Sequence, residues 1–132
     1  MKSSRGFTVI ELLIVVGLFL VASVIFFVQK NNIEVAARDD MRKTSINAMY
    51  YSLEEVYFKT HGSYPRTISS ENLTSVDPDL FKDPNGVKIG ESNSDYRYEA
   101  TKCNADACTG YTLRTTLENE ADFIKTNRTV AN

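Results

Sequence analysis

The sequence is poor in the residue types that most often carry catalysis or bind metals. It has one histidine, His61, and two cysteines, Cys103 and Cys108, in 132 residues. It contains no Ser/His/Asp or Cys/His set for nucleophilic catalysis and no cluster with metal-ligand spacing. It has 15 basic and 17 acidic residues, and it has no block of basic residues of the kind that binds nucleic acid. We therefore expect no enzyme, no cofactor and no nucleic-acid partner.

The chain does contain one long apolar run near its N-terminus. The run covers Phe7–Val28 and includes a single charged residue. About 20 apolar residues are enough to cross the hydrocarbon core of a bilayer. Lys2 and Arg5 precede the run and mixed charges follow it. The positive-inside rule therefore predicts a single-pass protein of the cytoplasmic membrane, with its N-terminus inside.

Two simpler interpretations of the run remain open on hydropathy alone. One is a plain signal anchor. The other is a secretory signal peptide, for which Ala22-Ser23 could mimic a cleavage site. The apolar residues 24–28 continue beyond that point, which is unlike a cleaved signal.

The charged residue in the run is Glu11. A carboxylate at the centre of a membrane helix costs about 2.5–3.5 kcal/mol on insertion scales. We therefore expect the Glu11 carboxylate to have a function that offsets this cost of insertion.

The segment around this carboxylate resembles a known processing motif. Residues 6–13, GFTVIELL, are similar to the prepilin motif of type IV pilins and type II secretion pseudopilins. The resemblance implies that a membrane-embedded prepilin peptidase cuts between Gly6 and Phe7. It also implies removal of the leader, residues 1–6, and N-methylation of Phe7.

The resemblance also suggests what Glu11 does. After cleavage, Phe7 would carry an α-amine with a pKa near ~8, and methylation would keep its charge. In a packed bundle, Glu11 of one subunit could pair with the Phe7 amine of a neighbour. A buried charge is tolerated when it has such a partner. We therefore expect Glu11 to be an assembly residue.

Helical periodicity continues beyond the apolar run. No proline or glycine occurs between Gln29 and Lys59. The sequence predicts a helix that ends near Gly62, with Pro65 as a stop signal. Two apolar rows lie on this helix: Ile33, Ala37 and Met41, and then Ile46, Met49, Tyr50, Leu53, Val56 and Tyr57. We expect the second row to pack on its own domain and the first to be freer for other subunits.

Four segments follow from this reading. They are a cleaved leader (1–6), a transmembrane and assembly helix (7–28), an amphipathic helix outside the membrane (29–61) and a globular head (62–132).

A polar connection, residues 66–95, contains two turn signals. Calcium binding is conceivable here because calcium takes clustered oxygen ligands, and some pseudopilins bind it in this part of the fold. The candidate ligands are Asp77, Asp79, Asp83 and Asn85. The EF-hand spacing is absent, so turn-forming aspartates are the more economical explanation.

The C-terminal region changes to a period of two, which predicts antiparallel strands. Tyr96, Tyr98 and Ala100 alternate with polar residues, as do Tyr111, Leu113 and Leu117. If Cys103 faces Cys108, Tyr98 lies opposite Leu113. Arg97 then lies unfavourably opposite Arg114, unless Glu99 bridges them or a shift near the turn separates them. A third strand is plausible around residues 122–126. We expect a Cys103–Cys108 disulfide; free thiols or half of a metal site are the alternatives.

Together these features predict an α+β, type IV pilin-like fold, with a long helix packed on a small antiparallel sheet. The implied function is a structural pilin or pseudopilin of a surface filament. Its implied partners are other pilins, a prepilin peptidase, an assembly platform and that platform's cytoplasmic ATPase. The alternatives are a minor pseudopilin for secretion or DNA uptake and, less favoured, a membrane-anchored binding domain or enzyme.

Overall fold

The computed structural model describes residues 6–128, which form two compact units. The first unit ends at Val35 and the second begins at Ala36. Leader residues Met1–Arg5 and the final residues 129–132 lie outside the described part of the chain. The long helix and the small antiparallel sheet are both present, so the prediction of an α+β fold is confirmed.

The N-terminal helix is continuous through three segments. Helix α1 covers Val9–Tyr51, a π-helical segment covers Ser52–Tyr57, and helix α2 covers Phe58–His61. The sequence placed the start at Phe7, two residues too early. The helix begins at Val9 because Thr8 serves as its cap, with its side-chain oxygen bonded to a backbone N–H one turn further on.

The helix ends where the sequence supplies a glycine. Gly62 has a φ of 69°, in the left-handed region, and donates its N–H to the carbonyl of Phe58 at 2.8 Å. A residue with a Cβ is strained in this conformation, whereas glycine is not. The predicted helix end is therefore confirmed.

The sheet has four antiparallel strands with β3 at its centre. They are β1 (Tyr64–Pro65), β2 (Tyr96–Asn104), β3 (Ala107–Thr115) and β4 (Phe123–Thr126). Strand β2 pairs with one edge of β3, and β1 and β4 pair with different parts of the other edge. Strand β4 confirms the predicted third strand, whereas the two-residue β1 is too short to be recognised from periodicity.

The register of the β2–β3 hairpin is the predicted one. Cys103 lies opposite Cys108, and Tyr98 lies opposite Leu113. Arg97 and Arg114 are also directly opposite each other. The expected bridge is only half present: the carboxylate of Glu99 lies 3.5 Å from the guanidinium of Arg114, whereas Arg97 donates to the carbonyl of Ser92.

The core of the second unit lies between the helix and the inner face of the sheet. Ile46, Met49 and Leu53 are fully buried there. They contact a cluster that includes buried tyrosines from three strands: Tyr64, Tyr96 and Tyr111. The predicted inner row is therefore right in its first part.

Val56 corrects the end of that row. It was expected to pack on the head, but 47% of it is exposed. The π-helical segment explains the difference, because its wider turn places Ser52, Leu53 and Glu54 on the buried side in succession. The residue three positions after Leu53 then faces away from the sheet.

The Cys103–Cys108 disulfide is present and closes the tip of the β2–β3 hairpin. Arg66 also holds this tip, donating two hydrogen bonds to the carbonyl of Ala105 at 2.8 and 3.1 Å. The disulfide therefore joins the two strands at the tip, and Arg66 attaches the tip to the start of the polar connection.

We expect the double substitution Cys103→Ser with Cys108→Ser to lower the free energy of unfolding by about 2 kcal/mol, as chain entropy predicts for so short a loop. Cys108 is a buried member of the core, but the head should stay folded, because the helix residues and tyrosines that form most of the core are unchanged. Chemical unfolding of the full chain in detergent, followed by tyrosine near-UV circular dichroism, measures this change. Reduction of the wild-type chain should give the same loss, and complete unfolding of the variant would contradict the prediction.

Candidate processing and assembly site

The candidate site begins with the three residues before helix α1. Thr8 caps the helix: its Oγ1 accepts the N–H of Glu11 at 3.3 Å, and its carbonyl accepts the N–H of Leu12 at 3.1 Å. Threonine followed three residues later by glutamate is the capping-box pattern. Thr8 therefore caps the helix three residues before Glu11, and the Glu11 carboxylate lies in the first helical turn.

The Gly6–Phe7 bond is accessible in the structure. A Cβ built on Gly6 would meet no atom within 4 Å, and Phe7 is 77% exposed. Both residues precede the first regular element. A peptidase could therefore reach this bond, and any requirement for glycine would come from the peptidase rather than from crowding in this chain.

Glu11 is an exposed residue in the first turn of helix α1. Within residues 6–128, its carboxylate accepts no hydrogen bond and forms no ion pair. Exposed apolar residues surround it, among them Ile10 and Leu12. The carboxylate also favours the positive end of the helix dipole, but that interaction is small when exposed. Residues 6–128 therefore leave this carboxylate without a charged partner.

The helix that follows is long and apolar enough to cross a membrane, by its length and composition. Its apolar side chains up to Val28 are exposed. The hydroxyl of Ser23 is satisfied within the helix, donating to the carbonyl of Phe19 at 2.7 Å. That bond removes the cost of placing an unpaired hydroxyl in lipid.

A group of ion pairs around the buried side chain of Arg42 joins the helix to the head in the second unit. We call it the Arg42 cluster: Arg38, Asp39, Arg42, Asp95 and Glu118. Only 4% of Arg42 is exposed. Its guanidinium reaches the carboxylates of Asp39 at 2.9 Å, Asp95 at 3.0 Å and Glu118 at 2.8 Å. Arg38 binds Glu118 as well, through two hydrogen bonds of 2.6 and 2.7 Å.

The surroundings of these groups favour their charged forms. Hydrogen bonds from Arg38 and Arg42 lower the pKa of Glu118 to about 2. Burial alone would raise the pKa of Asp39, but hydrogen bonds from the backbone of Glu118 and Asn119 and from Arg42 lower it overall. Asp39, Arg42 and Glu118 are therefore ionised at neutral pH.

A second buried carboxylate, Glu54, lies in the π-helical segment. It accepts hydrogen bonds from the hydroxyls of Tyr111 at 2.8 Å and Tyr64 at 3.1 Å, and from the backbone N–H of Arg128 at 3.2 Å. The side chain of Arg128 pairs with the neighbouring Glu55. Glu54 thus ties together the helix, strands β1 and β3 and the last described residues.

Sequence reasoning missed both buried groups, because the charges at residues 30–59 are balanced and look like a solvated helix face. The helical phase of the charged residues could have revealed the Arg42 cluster. Asp39 and Arg42 fall on the same helical phase as Ile46 and Met49, at spacings of three and four. Charged residues that continue a buried apolar row indicate a buried ion pair.

The candidate calcium ligands take part in local contacts in the polar connection. Asp77 caps the short 3₁₀ helix Pro78–Phe81, and Asp79 pairs with Lys82 at 2.9 Å. Asp83 is buried and accepts the backbone N–H groups of residues 85, 87 and 95. Within the described residues, no group of three His, Cys, Asp or Glu side chains is placed to hold a metal. Asp77 and Asp83 therefore organise turns, and calcium binding stays a prediction.

Comparison with known proteins supports the reading of the N-terminus. The family model described as the prokaryotic N-terminal methylation motif matches residues 1–27 of the chain. No curated protein and no solved structure matches. The motif together with the long helix, the sheet and the disulfide supports a type IV pilin-like or pseudopilin-like protein. The apolar helix that begins within this motif agrees with a membrane-anchored precursor.

Proposed function

We propose that this chain is a structural subunit of a type IV pilus-like filament, polymerised through its N-terminal helix. One observation carries the proposal. Glu11 lies inside the matched methylation motif, in the first turn of an exposed apolar helix, and has no partner among residues 6–128. In a bundle of such helices, the amine of Phe7 from a neighbouring subunit would neutralise it.

Processing would precede assembly. A prepilin peptidase would cut between Gly6 and Phe7 and methylate the new amine, which would stay cationic at neutral pH. The accessibility of this bond supports cleavage at this position. Cleavage would create the cation that Glu11 of the next subunit needs, so an uncut precursor would lack the partner group.

The remaining partners follow from this role. The N-terminus would face the cytoplasm, and an assembly platform would lift the stored subunits into a surface filament with other pilins. A separate cytoplasmic ATPase would drive this, because the sequence shows no resemblance to a nucleotide site. The chain itself would act as a structural subunit without catalytic activity or a cofactor.

We expect the mature chain to begin at Phe7. The intact mass of the protein from membranes should show the loss of residues 1–6 and a gain of ~14 Da for one methyl group. Sheared surface filaments should contain the same species, and its abundance there would separate a major subunit from a minor one.

Replacement of Gly6 provides the matched control. Gly6→Val should leave the uncut Met1 form in the membrane and remove the chain from filaments. Cleavage after Ser23, or an unprocessed wild-type chain in surface filaments, would contradict the proposed function.

A further inference from the structure

An exposed row of side chains crosses the outer face of the sheet. Arg97 on β2 lies directly opposite Arg114 on β3, which lies directly opposite Ile124 on β4. Ile124 is 53% exposed, and 42% of the Arg114 side chain is exposed. We call these three residues the Arg114 row.

The Arg114 row is unfavourable for an isolated head. Like charges directly opposite each other on neighbouring strands are destabilising, and the isoleucine beside them faces water. Glu99 compensates only in part, since its carboxylate is 3.5 Å from Arg114 and 62% exposed. Arg97 donates to the carbonyl of Ser92 at 3.3 Å, which does not neutralise its charge. A row of this kind suits a surface that an acidic partner covers.

The same chain carries an acidic cavity elsewhere in its second unit. The acidic cavity has a volume of about 300 Å³ and is lined by Ala36, Asp39, Asp40, Lys43, Asn119 and Glu120. Asp39 is engaged with Arg42, and Glu120 is paired with Lys43 at 2.8 Å. Asp40 is exposed and forms no ion pair within residues 6–128. The cavity therefore presents acidic oxygens beside the apolar wall of Ala36.

We propose that the Arg114 row of one subunit docks into the acidic cavity of a second copy of this chain. This inference rests on the proposed function as a filament subunit. The arginines would meet Asp40 and Glu120, and Ile124 would pack beside Ala36. Row and cavity are different surfaces of one chain, so each copy can offer both.

Such a contact is head-to-tail and need not close on itself, which is the geometry that generates helical filaments. Electrostatic complementarity of this kind contributes more to register and orientation than to affinity. The apolar helices would supply most of the attraction between subunits. The docked row would determine how neighbouring heads are arranged.

Charge reversal on each side, followed by their combination, tests the contact. Arg97→Glu with Arg114→Glu should reduce sheared filaments by about tenfold or more, because like charges would then face each other. Asp40→Lys with Glu120→Lys should do the same. The four substitutions together should restore filaments to within about threefold of wild type, since the charges are complementary again.

Lys88→Glu is the matched control, because Lys88 is exposed and belongs to neither surface. It should assemble like the wild-type chain. Equal amounts of mature subunit in the membrane, with an oxidised Cys103–Cys108 pair, would show that each variant folds.

A cysteine pair tests proximity directly. Cells that produce Arg114→Cys and Asp40→Cys chains together should yield reducible dimers in their filaments, and either variant alone should not. Wild-type cells without filaments would contradict the proposed function itself. Wild-type filaments with unaffected reversal variants would overturn only the docking contact. The docking contact would also be overturned if the four substitutions together did not restore filaments, or if only the substitutions in the Arg114 row reduced them.

Discussion

Cells that produce the Glu11→Ala chain should assemble few or no filaments containing it, while mature subunit accumulates in the membrane. The substitution removes an intramembrane charge, so insertion of the isolated subunit should be unchanged or easier. Cleavage after Gly6 should continue, because the bond lies outside the contacts of the carboxylate. Only the step that brings helices together should fail.

The size of the effect follows from the charge that is left behind. Without the carboxylate, the Phe7 amine of the adjoining subunit stays unpaired in an apolar bundle. Breaking a buried ion pair from one side typically costs ~3–5 kcal/mol, and the loss recurs at each joint of the filament. Glu11→Gln should be nearly as damaging, because an amide forms hydrogen bonds but does not neutralise the amine.

Glu34→Ala is the matched control for this experiment. Glu34 is an exposed carboxylate 3.7 Å from Lys30, beyond the apolar run, and its loss should leave filament yield near the wild-type level. The comparison uses the amount of subunit in sheared filaments against the amount of mature subunit in membranes. Normal filament yield with Glu11→Ala would reduce Glu11 to a favourable residue at a helix N-terminus.

The second large effect is expected in the head, where Arg42→Met should lower the free energy of unfolding by ~3–5 kcal/mol. Methionine keeps much of the side-chain length but leaves the carboxylates of Asp39, Asp95 and Glu118 without their shared cation. Asp39 is 4% exposed, so water cannot replace the guanidinium there. Chemical unfolding of the full chain in detergent measures the loss.

Lys43→Met removes a neighbouring cation from an exposed pair and should cost only ~0–1 kcal/mol. The partner of Lys43, Glu120, is 59% exposed and can be solvated instead. If Arg42→Met and Lys43→Met lowered the free energy of unfolding equally, burial would not explain the contribution of the Arg42 cluster to stability.

The same cluster predicts a pH dependence. The lowered pKa values of Asp39 and Glu118 mean that their contribution to stability is present above the ordinary values of 3.8 and 4.5. It is lost as pH falls through the folded-state values, about 2 for Glu118. The stability difference between wild type and Arg42→Met should therefore be largest near neutral pH. It should shrink below about pH 4.5, where the orphaned carboxylates of the variant become protonated.

The sequence was sufficient to predict the parts of the fold that rest on local chemistry. Gly62 marked the helix end because only glycine adopts a left-handed conformation without strain. The alternation around Tyr98 and Leu113, combined with a facing cysteine pair, predicted the register that the hairpin has. The candidate site was likewise recognisable, because its motif is contiguous in the chain.

The features that the sequence did not reveal depend on distant residues. Glu118 binds Arg38 and Arg42 from a loop nearly eighty positions away, and Glu54 finds its partners on two strands and near the C-terminus. A charged residue on a helix is usually solvated, so local patterns favour exposure. Strand β1 was missed because two residues carry no period.

The π-helical segment makes the head unequally tolerant of changes in length. A π-helical turn holds more residues than an α-helical turn, so loss of one residue from Ser52–Tyr57 would allow this segment to close as a regular α-helix. Arg42 and Gly62 lie on opposite sides of this segment and would keep their relative phase after such a deletion, whereas loss of one residue from the α-helical part between Arg42 and Ser52 would rotate one against the other by about 100°. Within the π-helical segment, a single-residue deletion should therefore be tolerated best at an exposed position such as Val56 and worst at Leu53, which is fully buried in the core.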